Sequence, residues 1–142
     1  MLGNFIDRAL KKEWSDEKIQ KYVGNYKASY LAHATDSLIR RNAASGGVTS
    51  SLLIHGLRSS SFDGIVVCKT VLVDGKVRAK LEIVTTVDEL LEAQGSKYVE
   101  TRFLQEVLPL LRSFKGRVAV VGLPCDISAL RHRCDKEPAL AN

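Results

Sequence analysis

Apolar and polar positions change their period several times along the chain, and each change marks an element. Residues 5 to 23 scatter Phe5, Ile6, Leu10, Trp14, Ile19 and Val23 among charges. This predicts an N-terminal helix or arm over residues 1–25. Tyr26 to Ala34 alternates, with Tyr26, Ala28, Tyr30 and Ala32 on one face, which predicts a strand. Asp36 followed by Ser37, Leu38 and Ile39 predicts a capped helical turn. Gly46 and Gly47 then open a helix whose positions Val48, Leu52, Leu53 and Leu57 are expected to form one buried face. Ile65 to Cys68 has no alternation and reads as a strand covered on both faces. The run from Val71 to Val77 turns at Asp74-Gly75, a pair suited to a tight hairpin with positive φ, and the return strand reaches Val84. Thr86 to Ala93 predicts a helix with a cap-type residue and Asp88-Glu89 in its first turn. Gln94 to Tyr98 is a loop. Leu104 to Phe114 is an amphipathic helix, in which Pro109 marks a late start or a kink. Arg117 to Val121 is a short β-branched run, expected to be an interior strand. Gly122 turns the chain, and Pro124 suits the first turn of the helix that follows.

Strands separated by helices, with one hairpin inserted, predict an α/β fold. The expected architecture is a single domain with a mixed, mainly parallel sheet and helices on both faces. The chain ends soon after the helix that follows a central strand, so it reads as the N-terminal part of a longer protein. There is no internal repeat.

Composition narrows the class. The chain has 142 residues, 45% apolar and 26% charged, as in a water-soluble domain. No apolar run is long enough for a membrane span. The first residues lack the pattern of a secretory signal, so a cytoplasmic protein is expected. Three cysteines, Cys68, Cys125 and Cys134, make no disulfide framework. Net charge is +5. Between Arg112 and Cys134 five basic residues face one acid, Asp126. That concentration fits either a solvated surface or attraction for a phosphate-bearing cofactor. No nucleic-acid motif is present, and no nucleic-acid partner is expected.

Three places carry candidate chemistry. Ser45-Gly46-Gly47 at a helix start exposes backbone N–H groups that can cradle a phosphate or a flavin edge, or else simply allows close packing. Gln94-Gly95-Ser96-Lys97-Tyr98 gathers an amide, a hydroxyl, an ammonium and a phenol. There Lys97 can pair with phosphate and Tyr98 can stack on a ring, or the segment is an ordinary exposed turn. Cys125 lies at a strand's carboxyl end and a helix N-terminus, where a thiolate or an anion is favoured. Cys68, mid-strand, reads as core packing. His33, His55 and His132 share no metal-ligand spacing.

Four segments in order carry a resemblance: Ala44-Ser45-Gly46-Gly47-Val48-Thr49, Phe62-Asp63-Gly64-Ile65-Val66-Val67, Gln94-Gly95-Ser96-Lys97-Tyr98, and Val118 through Gly122-Leu123-Pro124-Cys125. Together they resemble the beta subunit family of coenzyme F420-reducing hydrogenase and dehydrogenase, to which 7-hydroxymethyl chlorophyll a reductase also belongs. The resemblance covers about residues 26 to 134. It implies a flavin-binding-type α/β domain over 26–142, with FAD passing electrons between iron–sulfur clusters and a deazaflavin or another organic acceptor. It implies flavin contacts from Ser45, Gly46, Gly47 and Thr49 and from Gln94, Ser96, Lys97 and Tyr98. It also implies a ferredoxin-like or hydrogenase-type redox partner. Cys125 matches a Pro-Cys position where a [4Fe-4S] ligand is expected. A cubane takes four thiolates, so Cys125 would serve only in a longer protein. Asp126 stands where Gln is common in the family. Two functions follow: an FAD-dependent oxidoreductase or its N-terminal part, and a non-catalytic nucleotide-binding or interaction domain that keeps the fold.

Overall fold

The computed structural model describes residues 16–25, 27–28 and 30–140. The chain forms two compact units, residues 1–31 and 32–142. The expected N-terminal helix lies partly outside the described residues; within them, α1 spans Asp16–Val23. Gly24, at φ 77°, closes α1 by donating its N–H to the Gln20 carbonyl at 2.9 Å.

The second unit is built on a three-stranded sheet of order β2-β1-β3. β1 (Gly64–Val73) pairs antiparallel with β2 (Lys76–Val84), from Ile65 opposite Val84 to Val73 opposite Lys76. Asp74 and Gly75 both have positive φ, 50° and 70°, the geometry that matches a two-residue turn to the strand twist. β3 (Val118–Val120) pairs parallel to β1 on its other side. The sheet is therefore mixed, and the hairpin stands where the sequence predicts it.

Helices cover both faces. On one, α3 (Val48–Arg58) and α4 (Val87–Glu92) pack Ile54 and Leu90 on Ile65, Val67 and Val84. On the other, α5 (Phe103–Ser113) and α6 (Pro124–Lys136) bring Phe103, Val107 and Leu130 onto Val66 and Leu81. Successive residues of β1 point to opposite faces. Ile65 and Val66, 0% and 1% exposed, thus belong to different cores, which is why this stretch is uniformly apolar. α4 opens with a reciprocal cap: Thr86 Oγ1 accepts from the Glu89 N–H, and Glu89 accepts from the Thr86 N–H. α2 (Ser37–Asn42) is capped by Asp36, whose carboxylate accepts from Leu38 and Ile39 N–H at 2.8 and 3.0 Å. A 3₁₀ turn, Pro138–Leu140, follows α6.

Four expectations need correction. The described part of the Tyr26–Ala34 segment is not a strand, and Tyr26 itself lies outside the described residues. Alternation gives a segment two faces but supplies no neighbour for its ladder. Tyr30 and Leu31 are exposed, and Ala34 donates to Gly46 O at 2.7 Å. On α3 the buried residues are Ile54 and Gly56, and Leu52 points to solvent at 65% exposure. The core stripe follows Leu53, Ile54 and Leu57, whereas Val48 and Leu52 lie on the other side of the helix. Pro109 does not delay α5, which starts at Phe103 and continues through it to Ser113. Finally, among the described residues β3 is an edge strand of three half-buried residues, with Val121 exposed beyond it. A β-branched run suits an edge as well as an interior position, and hydrophobicity alone does not count neighbours.

Candidate functional site

The loop before α3, the loop after α4 and the turn from β3 into α6 open onto one cavity of about 800 Å³. That size suits a cofactor or drug-sized ligand. Ser45, Gly46, Gly47 and Thr49 line it from one side, and Gln94, Ser96, Lys97 and Tyr98 from another. Gly122, Leu123 and Asp126 form a third side, while Val66, Leu81, Leu90 and Phe103 contribute apolar wall. All eight residues singled out on the two loops therefore share one space. Cys125 is not among the lining residues; it is exposed at the start of α6.

The glycines are committed first to the fold. Gly47 is buried at φ 76°, and a Cβ there would stand 3.1 Å from Ile39 Cγ2 and 3.2 Å from Ala34 Cβ. A Cβ on Gly46 would stand 2.9 Å from the Ala32 carbonyl. Both glycines let residues 32–34 approach the loop closely. Their backbone then turns so that α3 starts at the cavity wall. No side chain caps that start, so the first N–H groups of α3 lack a protein acceptor from a capping side chain. α6 also begins at the cavity but differs. Asp126 accepts a hydrogen bond from the Leu123 N–H at 3.2 Å and places its own carboxylate at that helix terminus.

The 94–98 loop is held by its own polar groups. Lys97 Nζ donates to the carbonyls of Ala93, Gln94 and Gly95 at 3.0, 2.8 and 3.0 Å. These carbonyls are left over where α4 ends, and an ammonium there also meets the negative end of the helix dipole. Gln94 Nε2 donates to the Ile39 carbonyl at 2.9 Å and ties the loop to α2. Tyr98 stands at the rim, 94% exposed. Among the described lining residues Lys97 is the one cation and Asp126 the one acid.

Cys68 was missed as a cavity residue. It packs against the α5 core as expected of a small apolar residue, yet its half-buried side chain also lines the cavity. Burial pushes its thiol above the usual 9.0. The nearby Lys97 ammonium opposes this, Glu106 adds to it, and a backbone hydrogen bond from Lys80 opposes it. Its place two residues after Val66, on the same strand face, was the available signal. A metal cluster fits less well. Among the described residues no three His, Cys, Asp or Glu side chains are gathered to hold a metal ion, and Cys68, Cys125 and Cys134 occupy separate settings. No helix among them is long and apolar enough to cross a membrane.

Known proteins resemble this chain in sequence and in fold. The family described as coenzyme F420 hydrogenase/dehydrogenase, beta subunit N-terminal region, matches residues 29–108. The coenzyme F420 hydrogenase subunit beta of Methanosarcina barkeri is 30% identical over 111 residues, which are 78% of this chain and 38% of that protein. A chain of the xenon-derivatised F420-reducing [NiFe] hydrogenase complex from Methanosarcina barkeri has a similar fold. Its TM-score is 0.62 at 23% identity, over 78% of this chain and 39% of that one. This chain thus spans well under half the length of the relatives it matches. With the family match covering more than half of it, the chain belongs to the coenzyme F420 hydrogenase/dehydrogenase beta subunit family, in that family's N-terminal region.

Proposed function

We propose that this domain is the FAD-holding part of a redox protein that exchanges electrons with a deazaflavin or another organic acceptor. The observation that carries the reading is the start of α3. It opens without a side-chain cap into a cavity of about 800 Å³ shared with the 94–98 loop. A helix N-terminus binds a phosphate through free N–H groups and its dipole. Family membership supports the same reading, since the relative's name carries the coenzyme F420 hydrogenase activity. FAD, when bound, supplies a carrier that takes up and releases electrons. The chain's residues do the rest. The N–H groups of Val48 and Thr49 bind the diphosphate. Val66, Leu81, Leu90 and Phe103 exclude water from the ring. Tyr98 offers its face for stacking at the rim. Lys97 keeps the loop folded and holds positive charge beside the site. The [4Fe-4S] centre of the family finds no ligand set among the described residues, and no step is assigned to it.

Titration with FAD and with riboflavin, which lacks the diphosphate, tests the reading. FAD should bind at least about tenfold more tightly than riboflavin, a difference of about 1.4 kcal/mol. FAD should also slow alkylation of Cys68, which lines the cavity, and leave Cys125 unaffected. Failure to bind FAD, or equal affinity for riboflavin, would remove the diphosphate from the α3 terminus.

A further inference from the structure

We propose that Gln94 is a positioning residue for the α3 terminus. Its side-chain amide joins the 94–98 loop to the Gly46-Gly47 turn through Ile39, so that two walls of the cavity open and close together. The inference rests on the reading that a diphosphate binds at α3, and it gives that site a conformational control. Gln94 is half-buried, and its Nε2 donates to the Ile39 carbonyl at 2.9 Å across 55 residues of chain. Ile39 is one of the last four residues of α2, whose carbonyls have no partner in the helix backbone. The same carbonyl oxygen stands 3.3 Å from the place of a Cβ on Gly47, and Ile39 Cγ2 stands 3.1 Å from it. Ile39 therefore holds the Gln94 amide and closely approaches Gly47, the residue from which α3 starts.

Other contacts make the path continuous. Ile39 and Ala93 pack against the same core cluster. A Cβ on Gly95 would stand 3.9 Å from the Asn42 carbonyl, so the loop approaches the end of α2 a second time. The turn is tied by its own carbonyls: Gly46 accepts from the Ala34 N–H at 2.7 Å, and Gly47 from the Ser51 N–H at 3.0 Å. With six residues, α2 is too short to be stable on its backbone bonds alone, so its place depends on tertiary contacts. Gln94 supplies one of them at the point nearest Gly47. The N–H groups of Val48 and Thr49 are thus aimed by a side chain that acts through Ile39 and need not touch the ligand. Coupling of this kind is reciprocal. An anion that orders the α3 terminus slows the opening of the loop by the factor by which the closed loop favours the anion.

Gln94→Met keeps the length of the side chain and removes the donor. In the ligand-free variant the amides of Ala34 and Ser51 should exchange about three- to tenfold faster, the effect of one lost hydrogen bond, while the β1 amides keep their protection and confirm the fold. Inorganic pyrophosphate is the ligand probe. In the wild type it should slow exchange at the Ala93 and Gln94 amides, which donate to the Leu90 and Leu91 carbonyls at 3.1 Å each. In Gln94→Met it should bind about three- to tenfold more weakly and, at saturation, leave those two amides at their ligand-free rates. Unchanged Ala34 and Ser51 exchange in the ligand-free variant would overturn the proposal. Slowing of the loop at saturation in that variant would also overturn it, because pyrophosphate would then be touching the loop directly. Faster Ala34 and Ser51 exchange in a chain that binds neither pyrophosphate nor FAD would sustain the coupling and overturn the diphosphate reading alone.

Discussion

Replacing Lys97 with Met separates the two services that this side chain can give the cavity. The substitution keeps the length of the side chain and removes the ammonium. Three contacts are lost, to the carbonyls of Ala93, Gln94 and Gly95 at 3.0, 2.8 and 3.0 Å. A hydrogen bond from a charged group contributes about 1.5–3 kcal/mol when shielded from water. Here Lys97 is half-buried and all three contacts fall within one turn of chain, so water replaces much of the loss. A net cost of about 1–2 kcal/mol is reasonable, which is about a 5- to 30-fold shift in the opening of the loop. Amide exchange over residues 94–99 should accelerate by that factor, while the β1 amides stay protected. FAD affinity should fall by a similar factor, because the loop must then be ordered at the moment of binding. Lys97→Arg should restore little, since a planar guanidinium fork does not converge on three carbonyls as an ammonium does. Unchanged exchange in the Met variant would refute the clasp. Faster exchange with unchanged FAD affinity would show that the loop is no part of the binding site.

Gly56→Ala on α3 should destabilise the domain by about 1–3 kcal/mol, because the new methyl would fall within the Phe62 ring. That outweighs the roughly 1 kcal/mol an alanine gains over glycine in a helix, and a raised melting temperature would contradict it. Alkylation followed by peptide mapping should label exposed Cys125 first and Cys68 last, since burial raises the Cys68 thiol and limits access to it. Early labelling of Cys68 would mean that the α5 face opens. Glu82, hydrogen-bonded to Lys69 at 2.8 Å, and Glu89, hydrogen-bonded to Thr86, have carboxyls held below the ordinary 4.5. Their contribution to stability is present above that value and is lost as pH falls through the lowered folded values. Thermal melts should therefore fall below about pH 4.5, less steeply in Glu82→Gln, and parallel curves would show that the pair adds nothing.

What could be read from the sequence follows the range of the interactions involved. The Asp74-Gly75 turn, the Thr86 cap, the Asp36 cap and the Pro124 helix start each depend on a few adjacent residues, and all stand as expected. The uniform run Ile65–Val67 also announced its position, since only a strand covered on both faces excludes polar residues from both sides. Errors arose where the outcome depended on distant partners. Tyr30 to Ala34 alternates like a strand, but it pairs with none of the three described strands. Val118 to Val120 reads as interior, yet its second neighbour is missing among the described residues. Leu52 and Ile54 are equally apolar, and only the placement of α3 against β1 decides which one is buried. At the site, the two loops were legible because glycine, amide and lysine clusters are locally unusual. Cys68 was not, because its approach to the cavity is set by the sheet, some thirty residues from the loop it faces.

The two helix starts at the cavity give the proposed ligand a direction. α3 and α6 both aim a positive dipole end at the same space, but Asp126 supplies a carboxylate at the α6 terminus and no side chain does so at α3. An anion near α6 would meet a like charge, whereas at α3 it would meet free N–H groups with Lys97 across the cavity. The apolar wall from Phe103 and Leu81, and the exposed Tyr98 ring, lie where a flat ring is accommodated more readily than a phosphate. The polarity proposed for FAD, with its diphosphate at α3 and its ring against α5 and Tyr98, therefore follows from one acidic side chain being present at one helix and absent at the other. Asp126→Asn makes the argument testable: it should bring little change in FAD affinity if the diphosphate lies at α3. A gain of about tenfold or more would place the anion at α6 instead.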